Sequence, residues 1–175
     1  MKNLLIVFLI ILSLYCAPAP AREYLYILND NCINELYNSA EQTLLNSKVN
    51  VIRDPHGIIL RFELPHPEEE YESLSVETTQ KIFAAISFLA KIKNPAIIEV
   101  HTENISKEKL KGHKNWEVST VIANNIESVF SSRLDYNRIH SVGYGEFLPA
   151  KNTSNNGVNY PNRVDIMILC NISGE

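Results

Sequence analysis

What most constrains the fold of this chain is the way two hydrophobic periodicities alternate along it. From Gly57 to Leu64, Ile58, Leu60 and Phe62 alternate with Ile59, Arg61 and Glu63, the period-two pattern of a strand with one well-buried face. From Ser75 the period changes. Ile82, Ile86 and Leu89, flanked by Phe83 and Ala90, form the stripe of a helix that ends near Asn94-Pro95. Ser75 suits an N-cap, and Glu77 places a carboxylate in the first turn, where the helix dipole favours it. Ala96 to Val100 is a compact β-prone run, and Asn115 to Phe130 is a second long helix with Ala123, Ile126 and Phe130 on one face. Ile139 to Gly143 and Val164 to Leu169 are further strands. Val49 to Ile52 is another, joined to Gly57 through the turn Asp54-Pro55-His56-Gly57. From Gly57 onward the predicted order is strand, helix, strand, helix, strand, strand, which closes as an α/β sandwich with helices on one face of a mixed sheet. An extra helix precedes it from Asn29 to Asn46, with Ile33, Leu36, Tyr37, Ala40 and Leu44 on one side and Asn29 or Asp30 as cap. Pro67 to Glu70, Lys107 to Lys114 and Glu146 to Asn159 read as loops, the first a solvated acidic run.

The first 21 residues follow different rules. Lys2 precedes an unbroken apolar run from Leu4 to Leu12, and Ala19 and Ala21 supply the small residues of a cleavage point, which together make a secretory signal. The run is short for a membrane span. Cleavage after Ala21, retention as a short anchor and lipid attachment at Cys16 all remain open, and each implies export. Removing the segment takes away Lys2, its one charged residue, and moves the net charge from −4 to −5. Acidity of this order excludes a nucleic-acid partner, whose phosphates call for clustered lysine and arginine. Cys32 and Cys170 then remain, either as a disulfide or as two buried thiols.

Motifs of catalysis are missing: there is no glycine-rich phosphate loop, no G-x-S-x-G, no H-E-x-x-H and no C-x-x-C. The histidines His56, His66, His101, His113 and His140 have none of the spacings by which a helix presents metal ligands. The chain is therefore expected to bind something rather than to act as an enzyme, with no cofactor and no metal.

Four segments identify what it could bind. Ile98-Glu99-Val100-His101-Thr102-Glu103-Asn104-Ile105 ends a strand in the manner of E-G-H-T-D. Asn115-Trp116-Glu117-Val118-Ser119, followed by Ala123, Ile126 and Phe130, is similar to N-W-E-L-S-x-x-R-A-x-x-V-x-x-x-L. Val142-Gly143-Tyr144-Gly145-Glu146, with Pro149 and Asn152, and Asn162-Arg163-Val164-Asp165-Ile166 complete the set. Together they resemble the OmpA-like peptidoglycan-binding domain over about Val51 to Leu169, in wording nearest the flagellar stator B subunits. The resemblance implies a signal or anchor at 1–21, a helical linker at 22–48, the domain at 49–170 and a tail at 171–175. It also implies a location on the periplasmic side of the cell envelope, with peptidoglycan and other envelope proteins as partners and membrane association through the N-terminal segment. Because Met1 to Ala21 contains no acid, an ion-conducting stator role is not expected.

In that family a carboxylate after a strand and an arginine on the second helix clasp the diaminopimelate of a stem peptide. A ligand with both an ammonium and carboxylates needs an acid for the one and a forked cation for the other. Carried over by position, the resemblance implies a ligand site of Thr102, Glu103, Asn104, Asn115, Ser119 and Arg163. Glu103 stands at the acid position, at a strand end where little burial is expected. Ile122 stands at the arginine position and can donate nothing. With Ala123, Ile126 and Phe130 taking the core face, Ile122 is expected to turn toward the ligand. The cation would then come from Arg163 or from a lysine of Lys107 to Lys114. The rival expectation is a protein–protein scaffold that keeps the fold without wall affinity. Asn115 serves either as helix cap or as ligand contact, Trp116 is expected to pack, and Gly143 and Gly145 are expected to serve backbone geometry first.

Overall fold

The computed structural model describes residues 30–103, 105–106, 108–148 and 161–170. Its elements are α1 (Asp30–Leu44), β1 (Asn50–Asp54), β2 (Gly57–Glu63), α2 (Pro67–Glu70), α3 (Val76–Leu89), β3 (Ala96–His101), α4 (Asn115–Ser131), a 3-10 turn (Tyr136–Arg138), β4 (Ile139–Gly145) and β5 (Arg163–Leu169). The five strands form one mixed sheet in the order β1-β2-β5-β3-β4, antiparallel except for the β3–β4 pair. This is the expected sandwich with its added N-terminal helix.

Strand alternation divides the sheet into two chemically different faces. Ile58, Leu60 and Phe62 of β2, Val164, Ile166 and Ile168 of β5, and Ile98 and Val100 of β3 are fully buried on one of them. The three long helices lie on that side. The Arg53 guanidinium reaches the Tyr37 ring of α1, Lys81 of α3 stands over Phe62, and Gly143 meets the backbone of α4. Ile33, Leu36, Ala40 and Leu44 of α1, Ile82, Phe88 and Leu89 of α3, and Ile122, Ala123, Ile126 and Phe130 of α4 complete the core. Each large aliphatic or aromatic side chain so buried contributes about 1.5–3 kcal/mol. The other face carries Arg61, Glu99, His101, Arg163 and Asp165.

Ser75 caps α3 as expected, its Oγ accepting from Thr78 N at 3.2 Å. The acidic run before it differs from expectation. Pro67 to Glu70 is a short helix, started by a proline whose fixed φ suits a first turn. Glu70 is 2% exposed rather than solvated. Its carboxylate accepts from Ser75 N at 2.7 Å, Ser75 Oγ at 2.6 Å and Thr78 Oγ1 at 2.6 Å, which holds the start of α3 in place. A carboxylate with three short-range donors is satisfied in the interior, and an acidic run in the sequence does not reveal those donors.

Cys32 and Cys170 form a disulfide with Cα atoms 6.0 Å apart. It ties α1 to the end of the central strand β5, and of the two readings left open by the sequence it is the bridged one. Met1 to Ala21 and the tail at 171–175 lie outside the described residues.

Candidate functional site

The carboxyl ends of β3 and β4 converge on the first turn of α4, and two glycines make this approach close enough. A Cβ on Gly143 would stand 2.2 Å from Thr120 N, and one on Gly145 would stand 2.8 Å from Trp116 N. Only a residue without a side chain lets the helix backbone lie directly on the strand. Gly145 also has φ +55°, a left-handed conformation that favours glycine. Ser119, fully buried, donates its hydroxyl proton to Trp116 O at 3.0 Å and accepts from Gly145 N at 2.9 Å. One hydroxyl thus pins β4 to α4.

Thr102 extends the same junction. Its backbone N–H donates to Gly145 O at 3.1 Å and its Oγ1 donates to Asn115 O at 3.1 Å, with the residue fully buried. Glu103 follows at half-buried depth, and its backbone N–H donates to Asn162 Oδ1 at 2.7 Å. The Asn162 carbonyl also accepts from Leu64 N at 3.0 Å, so this residue links the ends of β2 and β3. Asn115 is the first helical residue of α4, and Lys114 occupies the cap position with its N–H donating to Glu117 Oε2 at 2.8 Å. Freed from capping, Asn115 donates its Nδ2 to Glu146 Oε2 at 2.8 Å. Its Oδ1 is buried with no hydrogen-bond partner among the described residues.

Of the residues singled out from sequence, Thr102, Glu103, Asn115 and Ser119 therefore share one corner of the fold. Asn104 lies outside the described residues. Arg163 does not join them. It is in register with His101, on the sheet face opposite Thr102, 4% exposed, with its Nε donating to Asp165 Oδ2 at 3.0 Å. Ile122 is a correction: it is fully buried in the core between Ser119 and Ala123 and does not turn toward the ligand side. The apolar stripe of α4 is wider than three residues suggested, because the helix is covered by β3, β4 and α3 together. Trp116, expected to pack, is 45% exposed beside Asn115.

Sequence reasoning missed Asn162 and Glu146 as members of the corner. The asparagine stands in the last motif, where its amide could have been weighed as a strand-end clamp. Sequence reading also missed a second polar group. Glu99, His101 and Asp165 bring a ring nitrogen and two carboxylate oxygens within 4.8 Å of one another, although the first two come from β3 and the third from β5. The signal was present as polar residues at every second position of two otherwise apolar strands. Arg61 donates to both Asp165 oxygens, from Nε at 2.6 Å and Nη2 at 2.8 Å. Tyr144 stacks on His101 with centroids 5.3 Å apart, and burial, aided by the Glu99 charge, pushes the Tyr144 phenol up from its ordinary pKa.

No model of a known protein family matches the chain. Among solved structures, a putative MotB-like protein from Desulfovibrio vulgaris superposes with TM-score 0.62 at 19% identity, covering 78% of this chain and 90% of that one. Its fold is that of the OmpA-like, MotB-type domains. The cell wall anchor of the type VI secretion system from Pseudomonas aeruginosa shares this OmpA-like arrangement at TM-score 0.58 and 18% identity, covering 78% of this chain and 97% of that one. The periplasmic domain of Helicobacter pylori MotB does so at TM-score 0.57 and 16% identity, over 69% of this chain and 81% of that one. A curated relative, the uncharacterized protein YtxE of Bacillus subtilis strain 168, is 24% identical over 143 residues, 79% of this chain. The match spans 59% of YtxE's own length. Among the described residues, no helix is long and apolar enough to cross a membrane.

Proposed function

We propose that this chain is an exported cell-envelope protein whose OmpA-like domain binds the stem peptide of peptidoglycan non-covalently, at a diamino acid of the diaminopimelate type. The observation that carries the reading is the corner at the first turn of α4, where Thr102 and Glu146 are both bonded to Asn115 and Glu103 follows Thr102 in sequence. Two carboxylates and an unsatisfied amide oxygen suit a ligand ammonium. The positive end of the α4 dipole, with Lys114 at its cap position, suits a ligand carboxylate. The solved structures of similar fold include a cell wall anchor and MotB periplasmic domains, which supports a peptidoglycan-associated role in the envelope. Periplasmic placement and membrane association through the N-terminal segment belong to the same proposal.

A second reading, a protein–protein scaffold without wall affinity, is favoured by one finding. Ile122 lies in the core and Arg163 pairs with Asp165, so no guanidinium belongs to the corner among the described residues. Co-sedimentation of the purified protein with cell-wall sacculi separates the two. On the wall-binding reading, Glu103→Ala weakens sedimentation about 10- to 100-fold, the cost of one charge-assisted contact, with the melting temperature unchanged. Wild-type protein that stays in the supernatant would leave the scaffold.

A further inference from the structure

The sheet face turned away from the helices holds a buried arrangement that the wall-binding reading does not use. Glu99 and Asp165 are register partners across β3 and β5, and His101 follows Glu99 on the same side. His101 is 2% exposed. Its Nδ1 lies 3.1 Å from the Leu148 carbonyl oxygen, which can only accept, so Nδ1 carries the proton. Nε2 is directed at the two carboxylates. It has no hydrogen-bond partner among the described residues and lies 3.6 Å from Glu99 Oε2 and 3.8 Å from Asp165 Oδ2. A ring nitrogen and two carboxylate oxygens around one buried point call for a cation among them, either a proton on Nε2 or a metal ion.

We propose that Glu99, His101 and Asp165 form a binding site for a divalent metal ion of the zinc class. Ligand atoms held at 2.0–2.2 Å around a tetrahedral zinc ion stand roughly 3.3–3.6 Å apart, so Nε2 needs shifts of a few tenths of an ångström toward each acid, and the two carboxylates, which with Nε2 lie within 4.8 Å of one another, close further by side-chain rotation. The Nδ1–H bond to a backbone carbonyl is the outer contact that fixes the tautomer and orientation of a ligating histidine. An imidazole with two carboxylates suits zinc-like ions better than calcium or magnesium, which prefer all-oxygen shells. Asp165 limits the affinity. Its Oδ2 already accepts from Arg61 at 2.8 Å and from Arg163 at 3.0 Å, and ligation displaces the longer of these. The two guanidinium charges also oppose the ion, which places the affinity below that of zinc sites without such neighbours. Glu99, the most accessible of the three, gives the entry route. Occupancy would stiffen the segment held at Leu148, which also carries Glu146 and through it Asn115.

The test uses the full chain stripped with a chelator, titrated with zinc chloride by calorimetry and followed by thermal denaturation and by cobalt(II) absorption. One equivalent should bind per chain, raise the melting temperature and give tetrahedral cobalt bands. Glu99→Gln and His101→Gln should each weaken binding at least about 10-fold, since losing a direct ligand costs no less than losing an outer-shell contact. Absence of heat above dilution would overturn the proposal. Equal zinc binding by the wild type and the variants would also overturn it, and would point to exposed groups such as His56 beside Asp54. Should His101→Gln fail to fold, unchanged zinc affinity in folded Glu99→Gln is refutation enough. None of these readouts depends on wall binding.

Discussion

Replacing Ile122 with arginine tests whether the family's cation position can be restored in this chain. The side chain is fully buried among core residues of α4. A guanidinium placed there loses its hydration without a partner, at an effective cost of several kcal/mol. Its extra length adds about 1–3 kcal/mol of overpacking. Against a total stability of about 5–15 kcal/mol for a natural domain, a loss of about 4 kcal/mol or more is severe. For a domain of this size it lowers the melting temperature by roughly 8–16 °C, and it leaves a marginal protein unfolded. Ile122→Val, which only removes a methylene, should cost about 0.5–1.5 kcal/mol and serves as the control. Thermal unfolding by circular dichroism reads both variants, and sacculus co-sedimentation reads binding. An arginine variant that melts with the wild type and sediments more strongly would refute the reasoning, because side chain 122 would then have to reach the ligand side.

The disulfide closes a loop of 138 residues, for which chain entropy gives an upper figure of about 5 kcal/mol, so Cys170→Ser should cost about 2–5 kcal/mol by urea unfolding under non-reducing conditions. An unchanged midpoint would show that α1 is held by its apolar face alone. Gly143→Ala puts a methyl group 2.2 Å from Thr120 N, so the helix backbone must move, and a loss of about 3 kcal/mol is expected in the same assay. Glu70→Ala strands three donors at the start of α3 and should cost about 2–4 kcal/mol, with Glu70→Gln losing less because an amide oxygen still accepts.

Much of the fold was legible from residues alone because it rests on local periodicity. Alternation at Ile58, Leu60 and Phe62 and helical spacing at Ile82, Ile86 and Leu89 mark elements whatever their neighbours, and the structure differs at their ends by only a few residues. The candidate site was partly legible. Thr102, Glu103, Asn115 and Ser119 lie at element ends, where short motifs specify backbone geometry, and they do meet at one corner. Three other expectations failed for one shared reason. Glu70, Trp116 and Ile122 differ from their neighbours less in residue type than in what packs over them, and burial is a property of the assembled layers.

The sequence by itself determined the element order, the two-layer arrangement and the motif positions, since each follows from spacing along the chain. Only the tertiary structure decided that Cys32 bridges Cys170, that Ile122 is core, and that Arg163 turns to Asp165 under the sheet. Only there, too, do Glu99, His101 and Asp165 come together. The physical reason is that these are cross-strand and cross-layer relations. Register between β2, β5 and β3 sets them, and register is chosen by the packing of a whole face.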